Sequence, residues 1–186
     1  MGFPVLETKR LYLIKIINDH ASDIFEYLSN DVVTRYLGKE SIINIEEAYE
    51  IINKININYS EGKGIRWGII HKDSNKLIGT IGYDSVQIKN KRADLGYDIN
   101  LNYWRQGFAT EAINEIIKFG FTKLDLNRIG AVVFPDNRAS LNLLEKVGFT
   151  KEGILREYII QSNIERNCVV LSLLKKEYLV NSYKMV

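Results

Sequence analysis

A short glycine turn constrains this chain most. Residues 103–112 read YWRQGFATEA, between an alternating apolar stretch and a run with helical apolar spacing. A strand that enters a turn and then a helix leaves several backbone N–H groups at the helix start without intrahelical partners, and the helix dipole adds roughly half a positive charge there. Gly107 has no side chain and Ala109 a small one. A pyrophosphate can therefore lie against bare main chain, with the amides of Gln106, Gly107, Phe108, Ala109 and Thr110 as donors. A small-residue turn also serves simple tight packing, and the turn alone does not choose between the two.

Composition narrows what such a cradle serves. The 186 residues suit one domain, 1–186, with a sizeable core, and 46% hydrophobic with 26% charged content is ordinary for a soluble globular protein. A net charge of +2, with basic and acidic residues mixed, does not point to nucleic acid or an anionic membrane surface. No apolar stretch nears the roughly 20 residues of a membrane span, and no secretory signal pattern opens the chain, so a cytoplasmic location is expected. The one cysteine, Cys168, lies in CVVLSLL and reads as a core strand residue. His20 and His71 stand apart without ligands at metal spacing, and no metal is expected.

Periodicity gives an alternation of element types. Residues 10–17 (RLYLIKII) are strand-like, and 19–28 helical with Ile24, Phe25 and Leu28 on one side. Residues 45–59 favour a helix despite their isoleucines, and 61–64 (EGKG) break the chain. Residues 66–71 and 76–83 read as a hairpin, and 91–101 as a further antiparallel strand before the cradle. Residues 108–124 carry helical apolar spacing, 128–134 (RIGAVVF) a buried parallel strand, and 138–146 a helix stopped at Gly148. Strands over 150–161 and 165–175 close a mixed α/β domain with a strand, turn, helix, strand unit at its centre.

Within that unit, DLGYDINLNYWRQGFATEA followed by LNRIGAVVFPDNRASLNLLEKVGF resembles the two central motifs of the GNAT superfamily of acyl-CoA-dependent N-acyltransferases. The chain most resembles its RimJ/RimL-like branch, which includes acetyltransferases of ribosomal-protein N-termini. The likeness runs weakly from ETKRLYL to LSLLKKEY and is specific over residues 94–149. It implies a mixed, mainly antiparallel sheet splayed between two parallel central strands and flanked by helices. It also implies acetyl-CoA as co-substrate, its pantetheine arm paired with main-chain groups of Ile99 and Leu101 and its pyrophosphate on the turn. Trp104 stands where the superfamily commonly has Gln or Arg.

The implied chemistry needs a neutral amine to attack the thioester, polar groups near the thioester oxygen, and a proton for the leaving thiolate. By resemblance Asp94 holds the place of the acidic residue that often acts as base through water. Asp98, on the same strand face, is the reserve, and bulk water is a third option. The superfamily's frequent tyrosine proton donor is replaced by Leu144, which points to Ser140 of the NxxS helix start, as proton donor, sulfur contact or packing residue. Asn137 is a favoured N-cap type and a cofactor contact by resemblance. No cysteine lies in the motifs to form an acetyl-enzyme, so direct attack in a ternary complex is expected.

An α-amino group titrates near about 8 and a lysine near about 10.4, so a weak base suffices better for the first. The acceptor is then a protein N-terminal α-amine, such as that of a ribosomal protein, or a small-molecule amine. Residues 34–44, the hairpin around Trp67 and the last strands around Glu157 and Tyr158 are expected to wall its site. Tyr36, Trp67, Tyr83 and Tyr158 either line that site or belong to the core. A homodimer is left open, and a non-catalytic CoA-binding sensor or scaffold is the alternative function.

Overall fold

The computed structural model describes residues 2–183, without the side chains of residues 181–183. The chain opens with β1 (Leu6–Glu7) and β2 (Leu11–Lys15), followed by the helices α1 (Ala21–Leu28), α2 (Asp31–Thr34) and α3 (Ile45–Ser60). Strands β3 (Ile65–His71), β4 (Lys76–Gln87) and β5 (Arg92–Ile99) lead to α4 (Phe108–Thr122). Then come β6 (Arg128–Val133), α5 (Arg138–Lys146), β7 (Thr150–Gln161), β8 (Ile164–Leu174) and α6 (Lys175–Tyr183). Among the described residues the strands form one sheet in the order β1-β2-β3-β4-β5-β6-β8-β7, antiparallel except where β5 meets β6.

Alternation along the strands sorts the core into two layers. Trp67, Ile69, Ile81, Tyr83 and Leu95 face α4 and meet its Ile113, Ile116, Ile117 and Phe121, while Ile70 and Leu77 pack with Ile24, Tyr27 and Leu28 of α1 and Ala48 and Ile52 of α3. Helix α3 forms despite its β-branched residues because its start is well capped. The Asn44 side chain accepts from Glu47 N–H, and the Glu47 carboxylate accepts from Ile43 N–H.

The expected elements are present, with small differences at their ends. The strand expected over 91–101 stops at Ile99, and residues 101–103 form one turn of 3-10 helix capped by the Asn100 side chain. Leu101 therefore lies off the strand. Helices α2 and α6 were not foreseen, since α2 has four residues and α6 lacks an apolar stripe. Cys168 is fully buried. Among the described residues no helix is long and apolar enough to cross a membrane.

Candidate functional site

Strands β5 and β6 pair only at Arg92, Ala93 and Asp94, with Arg128, Ile129 and Gly130. Beyond that point β5 stays with β4 and β6 with β8, so the sheet opens into a wedge. Asn100 N–H bonds to Ile78 on the β4 side, which turns the main-chain groups of Ile99, and by alternation those of Tyr97 and Leu95, toward the wedge. The Trp104 indole donates to the Ile99 carbonyl at 2.7 Å, so Trp104 closes the strand's end while its ring lines the opening.

One cavity of about 470 Å³ fills the wedge on the α4 side, lined among others by Ile99, Gly107, Ala109, Thr110, Asn137 and Ser140. Gly107 is the N-cap of α4 at φ +83°, a left-handed conformation that glycine adopts without penalty. The first intrahelical bond is donated by Glu111 to the Gly107 carbonyl, so the amides of 107–110 point out of the helix end. A Cβ at Gly107 would approach the Arg10 guanidinium at 3.4 Å and nothing closer. The backbone conformation, rather than blockage of an anion's path, is thus what demands glycine here. Gln106 and Leu101 do not line the cavity; the Gln106 carbonyl accepts from Arg10, and the Leu101 carbonyl from Trp104 N–H.

Arg10 fastens the turn from behind. Its guanidinium bonds Glu111 at 2.7 Å and lies 4.3 Å above the Phe108 ring, while Thr8 donates to the same carboxylate at 2.6 Å. Burial opposes the charge on Glu111, but the hydrogen bonds from Thr8 and Arg10 outweigh it and hold its pKa below the ordinary value. Phe108 is buried against Tyr103 and His71.

A second cavity of about 390 Å³ opens on the α1 and α3 side, and Tyr36, Leu37, Tyr97 and Asp98 border both. Where they meet, the Tyr97 hydroxyl and Ser140 Oγ are 2.8 Å apart. Asn137 caps α5 by accepting from Ser140 N–H, which fixes Ser140 on the first turn. Burial raises the Tyr97 pKa, and the Ser140 bond opposes the rise, so the phenol keeps its proton. Asp98 is held by the Tyr27 hydroxyl at 2.6 Å, by Thr80 N–H and Oγ1 at 3.1 and 2.9 Å, and by Arg66 at 3.7 Å. Both of its oxygens are engaged by donors.

Asp94 is exposed and lines neither cavity, although it shares a strand face with Gly96, which lines the second. Its carboxylate lies over Gly130, where any added Cβ would collide with it. Burial raises its pKa and nearby Asp84 adds to this, against Arg92 and Arg128. Among the expected walls, Tyr36, Leu37 and Lys39 do line the second cavity. Trp67 and Tyr83 are fully buried core residues, bonded to the carbonyls of Pro4 and Ile116, and Tyr158 is exposed away from both cavities. The last two strands instead hold residues 34–40 in place, through Gln161 to the carbonyls of Thr34 and Lys39 and Ser162 to Glu40. Sequence reasoning missed Tyr97, Arg66 and Asp84. The alternation that buries Trp67 on one face sets Arg66 on the other, which was the available signal.

The Acetyltransferase (GNAT) domain family matches residues 10–150. The uncharacterized N-acetyltransferase YoaA of Bacillus subtilis is 48% identical over 173 residues, covering 93% of this chain and 98% of its own. The ribosomal protein uS5-alanine N-acetyltransferase of Escherichia coli is 28% identical over 123 residues, 66% of this chain and 63% of that protein. The spermidine N-acetyltransferase of Vibrio cholerae, solved with CoA and spermine, superposes with a TM-score of 0.81 at 23% identity, over 92% of this chain and 99% of that one.

Proposed function

This chain belongs to the GNAT acetyltransferase family, and from that premise we propose that it transfers acetyl from acetyl-CoA to a primary amine by direct attack, with both substrates bound at once. The observation that carries this reading is the wedge between β5 and β6, where a cavity ending on the α4 N-terminus meets a second cavity at Tyr97 and Asp98. The residues fit the donor. The helix start at Gly107, Phe108, Ala109 and Thr110 offers outward amides for a diphosphate, and the open edge of β5 offers the Ile99 N–H, beside its carbonyl already bonded to Trp104, to an extended amide-bearing arm. Leu101 falls outside that edge and Gln106 outside the lining, so the assignment rests on the other cradle residues, with Asn137 as cap.

Acetyl-CoA supplies an activated acyl group; the chain's residues manage protons and position. In the transfer a C–N bond forms and the C–S bond breaks, the amine loses a proton and the sulfur gains one. Ser140 stands at the junction with its hydroxyl bonded to Tyr97, which suits it to give a proton to the sulfur and to be replenished by the phenol. Asp94 receives the amine's proton through water, since it stands outside the cavity lining. Asp98, bonded on both oxygens, serves to hold Tyr27, Thr80 and Arg66 in place. One domain acting in the cytoplasm on an α-amine or small-molecule amine completes the proposal.

The test is acetyl-CoA-dependent thiol release over a panel of amines, with products identified by mass spectrometry. Ser140→Ala is expected to lower kcat by about 10²–10⁴ with CoA affinity kept, and Tyr97→Phe to lower it less and non-additively with Ser140→Ala. Tight CoA binding with no acceptor turned over would sink the catalytic reading in favour of a sensor or scaffold.

A further inference from the structure

The second cavity holds an uneven set of polar groups. Arg66 is bonded to Asp84 at 2.9 Å and lies 3.7 Å from Asp98, and Asp98 also accepts from Tyr27 and Thr80. These groups pair with one another, with one Asp84 oxygen left toward solvent. Lys39 and Lys54 also line the cavity, and among the described residues neither ammonium makes a hydrogen bond or ion pair. Lys39 sits in the segment strapped down by Gln161, which bonds its carbonyl at 2.8 Å, and Lys54 projects from α3 at the mouth. Each ammonium has three donors and no acceptor function. The cavity's unpaired charges are therefore both cationic, beside the Asn58 amide and the Tyr36 hydroxyl as neutral polar groups.

Resting on the transferase reading, we infer that the acceptor is a small amine carrying a carboxylate or phosphate, its anionic group held by Lys39 and Lys54 while its amine reaches the junction at Tyr97. A cavity of about 390 Å³ has the size of a small-molecule site. Arg66, Lys39 and Lys54 set three positive charges against the two carboxylates of Asp84 and Asp98, a balance that favours an anionic group over a polycation. Burial is the main cause that holds the Lys39 pKa below its ordinary value, with Arg66 and Lys54 adding to it against Asp98 and Asp84; an anion beside it would relieve that cost.

Matched acceptors test the inference: phosphoethanolamine against ethanolamine, β-alanine against β-alaninamide, and spermidine as the polycation. The anionic member of each pair should show kcat/KM at least about tenfold higher, the size of one charge-assisted hydrogen bond. Lys39→Ala and Lys54→Ala should raise KM for the anionic member with kcat little changed and leave its neutral match unaffected. The two pairs separate phosphate from carboxylate recognition. Equal use of both members, or preference for spermidine, overturns the anion site while the transferase reading stands. If no amine is acetylated, the transferase reading fails. The anion site is then judged by thermal shift with phosphoethanolamine, which must stabilise the parent chain and not Lys39→Ala, or the inference falls as well.

Discussion

Asp94 owes its position to the residue it faces across the paired end of β5 and β6. Gly130 leaves room for the carboxylate in its present place, where a Cβ would push it aside, and burial together with Asp84 lifts its pKa. A raised pKa moves the loss of base function to higher pH, so the acid limb of kcat/KM should fall above aspartate's usual value of about 3.9. In Asp94→Asn that limb should vanish and the rate drop about 10²-fold or more. A limb that persists unmoved would transfer the base role to water or another group. Gly107 makes a second residue-scale prediction, and its left-handed φ sets the terms. Gly107→Val should cost about 1–2 kcal/mol of stability and weaken CoA binding, whereas Gly107→Asn, which tolerates that conformation, should retain most of both. Calorimetric titration with CoA distinguishes them, and equal binding by the Val variant would remove the cradle from the donor site.

At the scale of elements, the start of α4 is tied to β2 by Glu111, which receives Thr8, Arg10 N–H and the Arg10 guanidinium. The folded pKa of Glu111 lies below its unfolded value. The associated stability is therefore fully present above about pH 4.3 and is lost as pH falls through the lower folded value. Glu111→Gln should destabilise the protein by about 1–3 kcal/mol at neutral pH and flatten that acid dependence. Denaturant melts at several pH values check this, and a variant with parental acid sensitivity would show that the tie contributes nothing. The same tie reaches the turn before α4, because Arg10 also bonds the Gln106 carbonyl.

For the molecule as a whole, the wedge divides the sheet into a five-stranded antiparallel part and a β6-β8-β7 part, joined by three residue pairs, by helix α4 and by the Tyr97–Ser140 hydrogen bond. A ligand that lies in the wedge bridges the two parts and binds only the folded state. At about a hundredfold excess over Kd, CoA should add about 2.7 kcal/mol to the unfolding free energy, a rise of several degrees in Tm for a chain of 186 residues. Differential scanning fluorimetry with CoA reads this directly. An unchanged Tm in the parent chain, with saturating ligand, would empty the wedge of its assigned role.

Local patterns along the chain were enough for the order of elements, the glycine turn, the Asn137 cap and the parallel strand after α4, because each depends on spacing within a few residues. The 3.6 and 2.0 periodicities, the missing side chain at Gly107 and the polar cap before α5 act at short range. What depends on residues far apart stayed hidden. Tyr97 and Ser140 are 43 positions apart and meet only because β5 and β6 separate. Trp67 and Arg66 are neighbours sent to opposite faces, one into the core and one into the second cavity. Asp98 reads in the sequence as the reserve base, and the folded chain surrounds it with donors from α1, β3 and β4. Local spacing thus suffices for the order of elements and for the glycine turn that opens α4; which side chains face one another across the wedge emerges only on folding, since strand separation is set by packing between elements and has no signature in local spacing.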